Sequence, residues 1–349
     1  IVTYNGERFI SENLKSLYRQ TMAPHEIIIV DNASEDKTLN IVENNFKDVY
    51  IIKNSKNYHY AKAVNIGVER AAGESVVILN QDIVLKEDFI EMLYRRYEEE
   101  EKKEEIAGIV PQIRFNKQRN FINGIGNFVT EKNWGSDNYF GVVDIGQFEN
   151  LAYLGSACFG AILVTKRGWT EVGPLDELYK SFYEDADWSI RVHLKGLKLL
   201  AAPKAVVFHE FGGSYPSGIK LFLIIKNRMR FALKNLKGNL MRKFLKRYLK
   251  QDIRNCLSFI RTKSFKNVLY YIKAYLHILG EFPKILVEKA GKNKIDTRKI
   301  RGFFKKGAPY VVLSNNQLEP VINKDVIRRY YYFSGIENFN SPEEPIVYQ

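Results

Sequence analysis

Three apolar runs near the start of the chain each terminate in a cluster of polar side chains. Ile1-Val2 runs into Thr3-Tyr4-Asn5, Glu26–Val30 (EIIIV) into Asp31-Asn32-Ala33-Ser34, and Ser75–Leu79 (SVVIL) into Asn80-Gln81-Asp82. Short apolar runs separated by amphipathic stretches are the pattern of βα units stacked into a sheet. Ligands of open α/β sheets sit beyond the carboxyl ends of the strands, so three polar strand ends predict a site along one rim.

The same reading places further elements. A helix is expected over Glu35–Asn45 with Ser34 as its N-cap and Asp36 in the first turn. A strand is expected at Val49–Ile52, a helix at Tyr60–Ala72 closed by Gly73, and a helix at Phe89–Glu105. Residues 112–150, rich in Gly, Asn and Phe, read as irregular or hairpin structure. Ala161–Thr165 is a buried strand, Asp185–Leu194 a short helix closed by Gly196, and Ala205–Phe208 a strand ending at His209. The chain opens within its first strand, which implies that a few residues precede Ile1.

Charge divides the chain. Lys220–Lys306 holds 25 of the 53 basic residues and 4 of the 40 acidic ones, so the remainder, with 28 basic and 36 acidic, is net acidic. An acidic body with a basic helical appendage points to two functional units. No apolar stretch approaches the ~20 residues that cross a bilayer. Cys158 and Cys256 are too few for a disulfide framework or a zinc site and fit a reducing compartment.

The candidate chemistry is carboxylate chemistry. Asp82, on a turn after a buried strand, suits Mg²⁺ or Mn²⁺, which take oxygen ligands and need few from the protein when a diphosphate supplies the rest; an Asx-turn is the competing reading. Tyr183-Glu184-Asp185-Ala186-Asp187 places three carboxylates at a helix start, as dipole caps or as a general base for an attacking hydroxyl. A base there is expected to stay ionised, with its basicity lowered by the helix end. His209 ends a strand beside Glu210 and Gly212-Gly213, and Asp31 is placed to accept from a nucleobase N–H or to cap a turn.

In this order the pieces resemble the family 2 glycosyltransferases, in particular the rhamnosyltransferase-like and galactofuranosyltransferase-like branch. The resemblance runs through Ile1–Asn5, Val30–Ser34, Asn57 to Gly67, Leu79–Asp82, Gly155–Ala157, Gly160-Ala161, Val172–Glu177, Tyr183–Asp187 and Pro203 to His209. It implies a GT-A fold, a Rossmann-like α/β domain for a nucleotide-diphospho-sugar, over residues 1–215. A basic amphipathic region (216–306) and a tail of unassigned role (307–349) follow. By this likeness Thr3, Tyr4, Asn5, Glu7, Asp31, Asn65 and Asn80 bind the nucleotide-sugar, and Asp82 and His209 hold a divalent metal, Mg²⁺ or Mn²⁺. Asp185 is the base, and Glu184 and Asp187 orient the acceptor or tune it. Asn80 replaces the first acid of the family's Asp-x-Asp motif. The implied reaction is inverting transfer from a UDP- or dTDP-sugar to a cell-surface glycan or lipid-linked acceptor.

Two alternatives are a catalytically degenerate glycan-binding or scaffold protein and a sugar nucleotidyltransferase. The latter opens with a Gly-rich basic loop, for which Tyr4-Asn5-Gly6-Glu7-Arg8 is too sparse. The basic region reads as a helical lid, as an amphipathic surface drawn to anionic lipid, or as a nucleic-acid patch. No nucleic-acid motif is present, and the first two readings are compatible. A peripheral position at the cytoplasmic face of a membrane is the corresponding expectation.

Overall fold

The computed structural model describes residues 1–100, 102–130, 136–210, 217–290 and 304–305. In chain order the elements are β1 (Val2–Thr3), α1 (Ile10–Tyr18), β2 (Ile27–Asp31), α2 (Thr38–Asn45), β3 (Val49–Lys53), α3 (His59–Arg70), β4 (Ser75–Leu79), β5 (Ile83–Leu85) and α4 (Phe89–Glu98). There follow β6 (Ile106–Phe115), β7 (Ile122–Gly124), β8 (Asn127–Thr130), β9 (Ser136–Asp137), β10 (Ala161–Thr165), α5 (Lys166–Val172), α6 (Glu184–Lys195) and β11 (Lys198–His209). Helices α7 (Ser217–Asn235), α8 (Gly238–Arg261) and α9 (Phe265–Ala290) and the short β12 (Phe304–Lys305) complete the described chain.

Strands β1, β2 and β3 form a parallel sheet, and β4-β10-β6-β11-β5 a mixed one. A parallel bridge between Val2 and Asn80 joins the two at β1 and the end of β4. Period-two alternation feeds both faces. In β10, Ile162 and Val164 join a core with α3, α5 and α6, while Ala161 and Leu163 join one with α1, α2 and α4. On the first face Trp188 is fully buried, stacks edge-on to Phe159 at 5.3 Å and donates its indole N–H to Gly173 O at 3.1 Å. A polar handle with a partner is what makes such a buried indole tolerable.

Several expected boundaries move, each for a local reason. Helix α2 starts at Thr38: Ser34 Oγ accepts from Asn5 N and braces the neighbouring loop, while Asp36 accepts from Glu7 N through Oδ2 and from Thr38 N, at the helix start, through Oδ1. Helix α3 ends at Arg70, with Ala71 already extended. Helix α4 ends at Glu98, after its buried residues Phe89 and Leu93, because the charged run that follows has no apolar anchor. Strand β6 was not expected, and β11 is far longer than the expected Ala205–Phe208. Both run through the core, where strands lose their alternation, and β11 is interrupted by an irregularity between Ala202 and Val206.

Helix α7 lies against the α/β body. Phe231 and Ile224 share a core with Tyr179, Tyr183 and Ile190, and Asn227 Nδ2 donates to the carbonyls of Tyr179, Ser181 and Phe182. Part of the basic charge is therefore internal. Lys226, Arg228, Arg230 and Lys234 are buried, and the latter three pair with Asp252, with Asp176, Glu281 and Glu288, and with Asp176 and Asp187, respectively. The body and the helical region share a core, which is the lid-like packing among the expected readings. Gly212-Gly213 and the tail 307–349 lie outside the described residues.

Buried charge gives this packing a measurable signature. Asp252→Ala strands the fully buried Arg228 and is expected to cost about 3–5 kcal/mol in denaturant unfolding. Lys53→Ala, which breaks an exposed pair with Glu43, is expected to cost about 0–1 kcal/mol.

Candidate active site

Antiparallel pairing of β5 with β11 sets His209 opposite Ile83, so the turn carrying Asp82 meets the end of β11. Asp82 Oδ2 lies 3.4 Å from His209 Nε2. The other ring nitrogen, Nδ1, is 2.6 Å from Asn123 Oδ1 on β7, an acceptor for a ring proton there. An Nδ1–H donated to a fixed oxygen leaves Nε2 as the basic, metal-seeking nitrogen. Asn123 Nδ2 in turn donates to Asp137 Oδ2 at 3.5 Å, and Asp137 on β9 is paired in register with Asn127 on β8. Asn127 Nδ2 donates to Asp185 Oδ2 at 2.6 Å. Two hydrogen-bonded runs, Asp82–His209–Asn123–Asp137 and Asn127–Asp185, thus meet where β8 pairs with β9.

Tyr60 occupies the space between. Its hydroxyl donates to Phe159 O at 2.5 Å, and its pKa is held well above 10 by burial, then by the charges of Glu184, Cys158, Asp185 and Asp82. Asp82 and Asp185 therefore both act electrostatically on Tyr60 near the carboxyl rim of the sheet.

Asp185 differs from expectation in its electrostatics. Burial outweighs the helix end and pushes its carboxyl up to about 6, while hydrogen bonds from Ala186 N and Asn127 hold it down. Glu184 is raised well above the usual carboxylate range by burial and by the charge of Asp185. Neighbouring carboxyls driven apart in this way assign a neutral partner and an ionised one near pH 7. Asp137 is pushed up to about 7, chiefly by burial and then by Asp185.

Asp187 has a different setting. Two residues beyond Asp185 on the helix, it is fully buried and accepts from Arg191 Nε, Asn235 Nδ2 and Tyr179 OH, and pairs with Lys234. It ties α6 to α7, away from the Asn127–Asp185 contact.

The nucleotide-binding residues divide into two groups. Thr3 donates from Oγ1 to Gln81 Oε1 at 2.6 Å, with Tyr4 N donating to the same oxygen, and Tyr4 is exposed. Gly6 lets this approach occur, since a Cβ there would come within 2.3 Å of Gln81 Oε1. Asp31 Oδ2 accepts from Ser34 N, while Asp31 Oδ1 and Asn80 Oδ1 are buried without a hydrogen-bond partner, as acceptors awaiting a ligand would be. Asn5 Oδ1 accepts from Glu35 N and Glu7 Oε2 from Lys37 N, so these two side chains brace the loop between β2 and α2. Asn65 is engaged in clamping Leu175, donating to its carbonyl and accepting from its amide. Gln81, in the polar strand end, and Tyr60, at the start of the expected helix, were given no role by the sequence reading. Asn123, Asn127 and Asp137 were not singled out, because they lie in irregular or hairpin segments that carry no periodic signal.

One carboxylate and one imidazole, Asp82 and His209, converge. Among the described residues no group of three or more His, Cys, Asp or Glu is placed to hold a metal ion. An ion at this pair would take its remaining ligands from oxygens outside the chain.

Comparison with known proteins bears on the family and the fold. Residues 1–145 match the sequence profile of the family described as Glycosyl transferase family 2. A Methanococcus voltae protein named dolichyl N-acetyl-alpha-D-glucosaminyl phosphate 3-beta-D-2,3-diacetamido-2,3-dideoxy-beta-D-glucuronosyltransferase is 31% identical over 124 residues, 32% of this chain and 38% of that one. The low-salt glycan biosynthesis hexosyltransferase Agl10 of Haloferax volcanii is 22% identical over 208 residues, 57% of this chain and 62% of its own. Each match thus spans less than two thirds of the curated relative. The crystal structure of GalNAc-T7 with UDP, GalNAc and Mn²⁺ superposes with a TM-score of 0.52 at 17% identity, over 67% of this chain and 46% of that one. By sequence, residues 1–145 are similar to family 2 glycosyl transferase domains, and the body that contains them has a GT-A-like α/β fold.

Proposed function

We propose that this chain is an inverting glycosyltransferase that moves a sugar from a UDP- or dTDP-linked donor to a hydroxyl of a cell-surface glycan or lipid-linked acceptor. The observation that supports the reading is the 3.4 Å approach of Asp82 to His209, with Tyr60 feeling the charges of both Asp82 and Asp185. The named relatives act on dolichyl-linked and glycan substrates, which supports an acceptor of that class. A rhamnosyltransferase-like or galactofuranosyltransferase-like specificity is part of the same proposal, as is the division at 215/216 into catalytic and helical units. A lipid-linked acceptor would keep the protein peripheral at the cytoplasmic face of a membrane. None of the helices among the described residues is long and apolar enough to cross one.

In this reading Asp185 accepts the proton of the acceptor hydroxyl, which attacks the anomeric carbon in a single displacement and inverts it. Asn127 holds the Asp185 carboxylate in place, leaving Glu184, protonated, to donate a hydrogen bond. Thr3, Tyr4, Asp31 and Asn80 line the donor side, with Asp31 Oδ1 open to a nucleobase N–H. Asn5, Glu7 and Asn65 contribute by holding the loops that frame the donor. Asp82 and His209 would hold a Mg²⁺ or Mn²⁺ ion that neutralises charge on the departing diphosphate.

Four outcomes are expected. Asp185→Asn lowers kcat by about 10²–10⁴-fold while donor affinity, measured by calorimetry, is retained; unchanged turnover removes Asp185 from the base role. The base must be ionised, so kcat/KM is expected to fall about tenfold per pH unit below about 6. Asn127→Ala removes a bond that favours the charged form, so this limb moves to higher pH. Asp82→Ala abolishes the metal dependence of nucleoside diphosphate affinity. Binding that is indifferent to EDTA in both forms removes the metal from the site.

A further inference from the structure

Two helices leave apolar stripes uncovered. On α8, Leu249, Ile253, Leu257 and Ile260 are about half exposed, and on α9, Phe265, Leu269, Ile272, Leu276 and Leu279 are 50–68% exposed. The spacings, in steps of three and four, put each set on one side of its helix. These are not the sides that meet the body. Phe244, Tyr248, Asp252 and Phe259 of α8 and Tyr271, Ala274, Ile278 and Ile285 of α9 are the buried positions. Asn255 donates to Tyr271 OH at 2.8 Å and Tyr275 OH to Asp252 at 2.6 Å, so the helices lie side by side. At 100° per residue, both stripes then turn away from α7 and adjoin in one patch.

Charge selects the occupant. The acids of the two helices are Asp252 and Glu281, both buried, and Glu288, which pairs with Arg230. The exposed charges around the patch are basic, including Lys250, Arg254 and Arg261 on α8 and Lys266, Lys273 and Lys284 on α9. A second copy of this chain docking through the patch would bring like charges together. An apolar stripe bordered by cations fits instead the boundary between headgroups and acyl chains of an anionic leaflet.

We propose that the α8–α9 face is a membrane-docking surface that inserts its leucine and isoleucine stripe into an anionic lipid leaflet, with the flanking lysines and arginines at the headgroups. It rests on these two helices alone, independently of the transfer chemistry. Each basic residue near such a surface adds roughly 1 kcal/mol, a factor of about five in partition, so binding is strongly salt-dependent.

Flotation of the full chain with phosphatidylcholine vesicles, with and without phosphatidylglycerol, tests this. The protein is expected to float with the phosphatidylglycerol vesicles, less so at high salt, and not with pure phosphatidylcholine. Leu269→Gln combined with Leu276→Gln, an exposed pair whose loss leaves the thermal transition intact, is expected to weaken the association by about tenfold or more. Lys266→Glu with Lys273→Glu is expected to do the same. Three results would each overturn the proposal: no association with anionic vesicles, equal association of the wild type and the double-Gln variant, or a dimer in sedimentation that the double-Gln variant dissolves.

Discussion

Asp82 and His209 meet because β5 turns back after β4 and pairs antiparallel with the end of β11. That pairing is the constraint on which their contact depends. It places a carboxylate and an imidazole from distant parts of the chain 3.4 Å apart at the carboxyl rim. Asn123, on a short strand beside β6, fixes the ring from the other side. Shifting β11 by one residue would turn His209 to the opposite face of the sheet and break its contacts with Asp82 and Asn123.

The second organising force is desolvation. A carboxylate at a helix start is ordinarily stabilised by the helix end, yet Asp185 is driven up to about 6 because it is buried next to Glu184. For a base this is an advantage, since a carboxylate near the usual value of 3.8 would be a weak proton acceptor. Burial also explains Asp187, whose charge is matched by Arg191 and Lys234 and spent on joining α6 to α7. Carboxylates adjacent in sequence thus acquire different tasks from their surroundings.

The sequence disclosed the strands that end in polar residues, and for a physical reason. Ser75–Leu79 and Ala161–Thr165 are short, apolar and bounded by turn residues, and both are strands with those limits. Asp82, His209 and Asp185 were legible as strand-end and helix-start residues. Asn123, Asn127 and Asp137 were not, because they lie in a Gly- and Asn-rich stretch whose short strands show no alternation. The burial of Arg228 and Arg230 was equally hidden. A basic helix reads as a solvated surface until the acids that face it, Asp176, Asp252 and Glu281, are brought near by the fold.

The central claim is that Asp82 and His209 together hold the ion on which departure of the diphosphate depends. Electron–nuclear spectroscopy of Mn²⁺ bound with UDP addresses it directly. The account predicts a nitrogen coupling from one imidazole that disappears in His209→Ala. Tightly bound Mn²⁺ with no nitrogen coupling in the wild-type protein would contradict it.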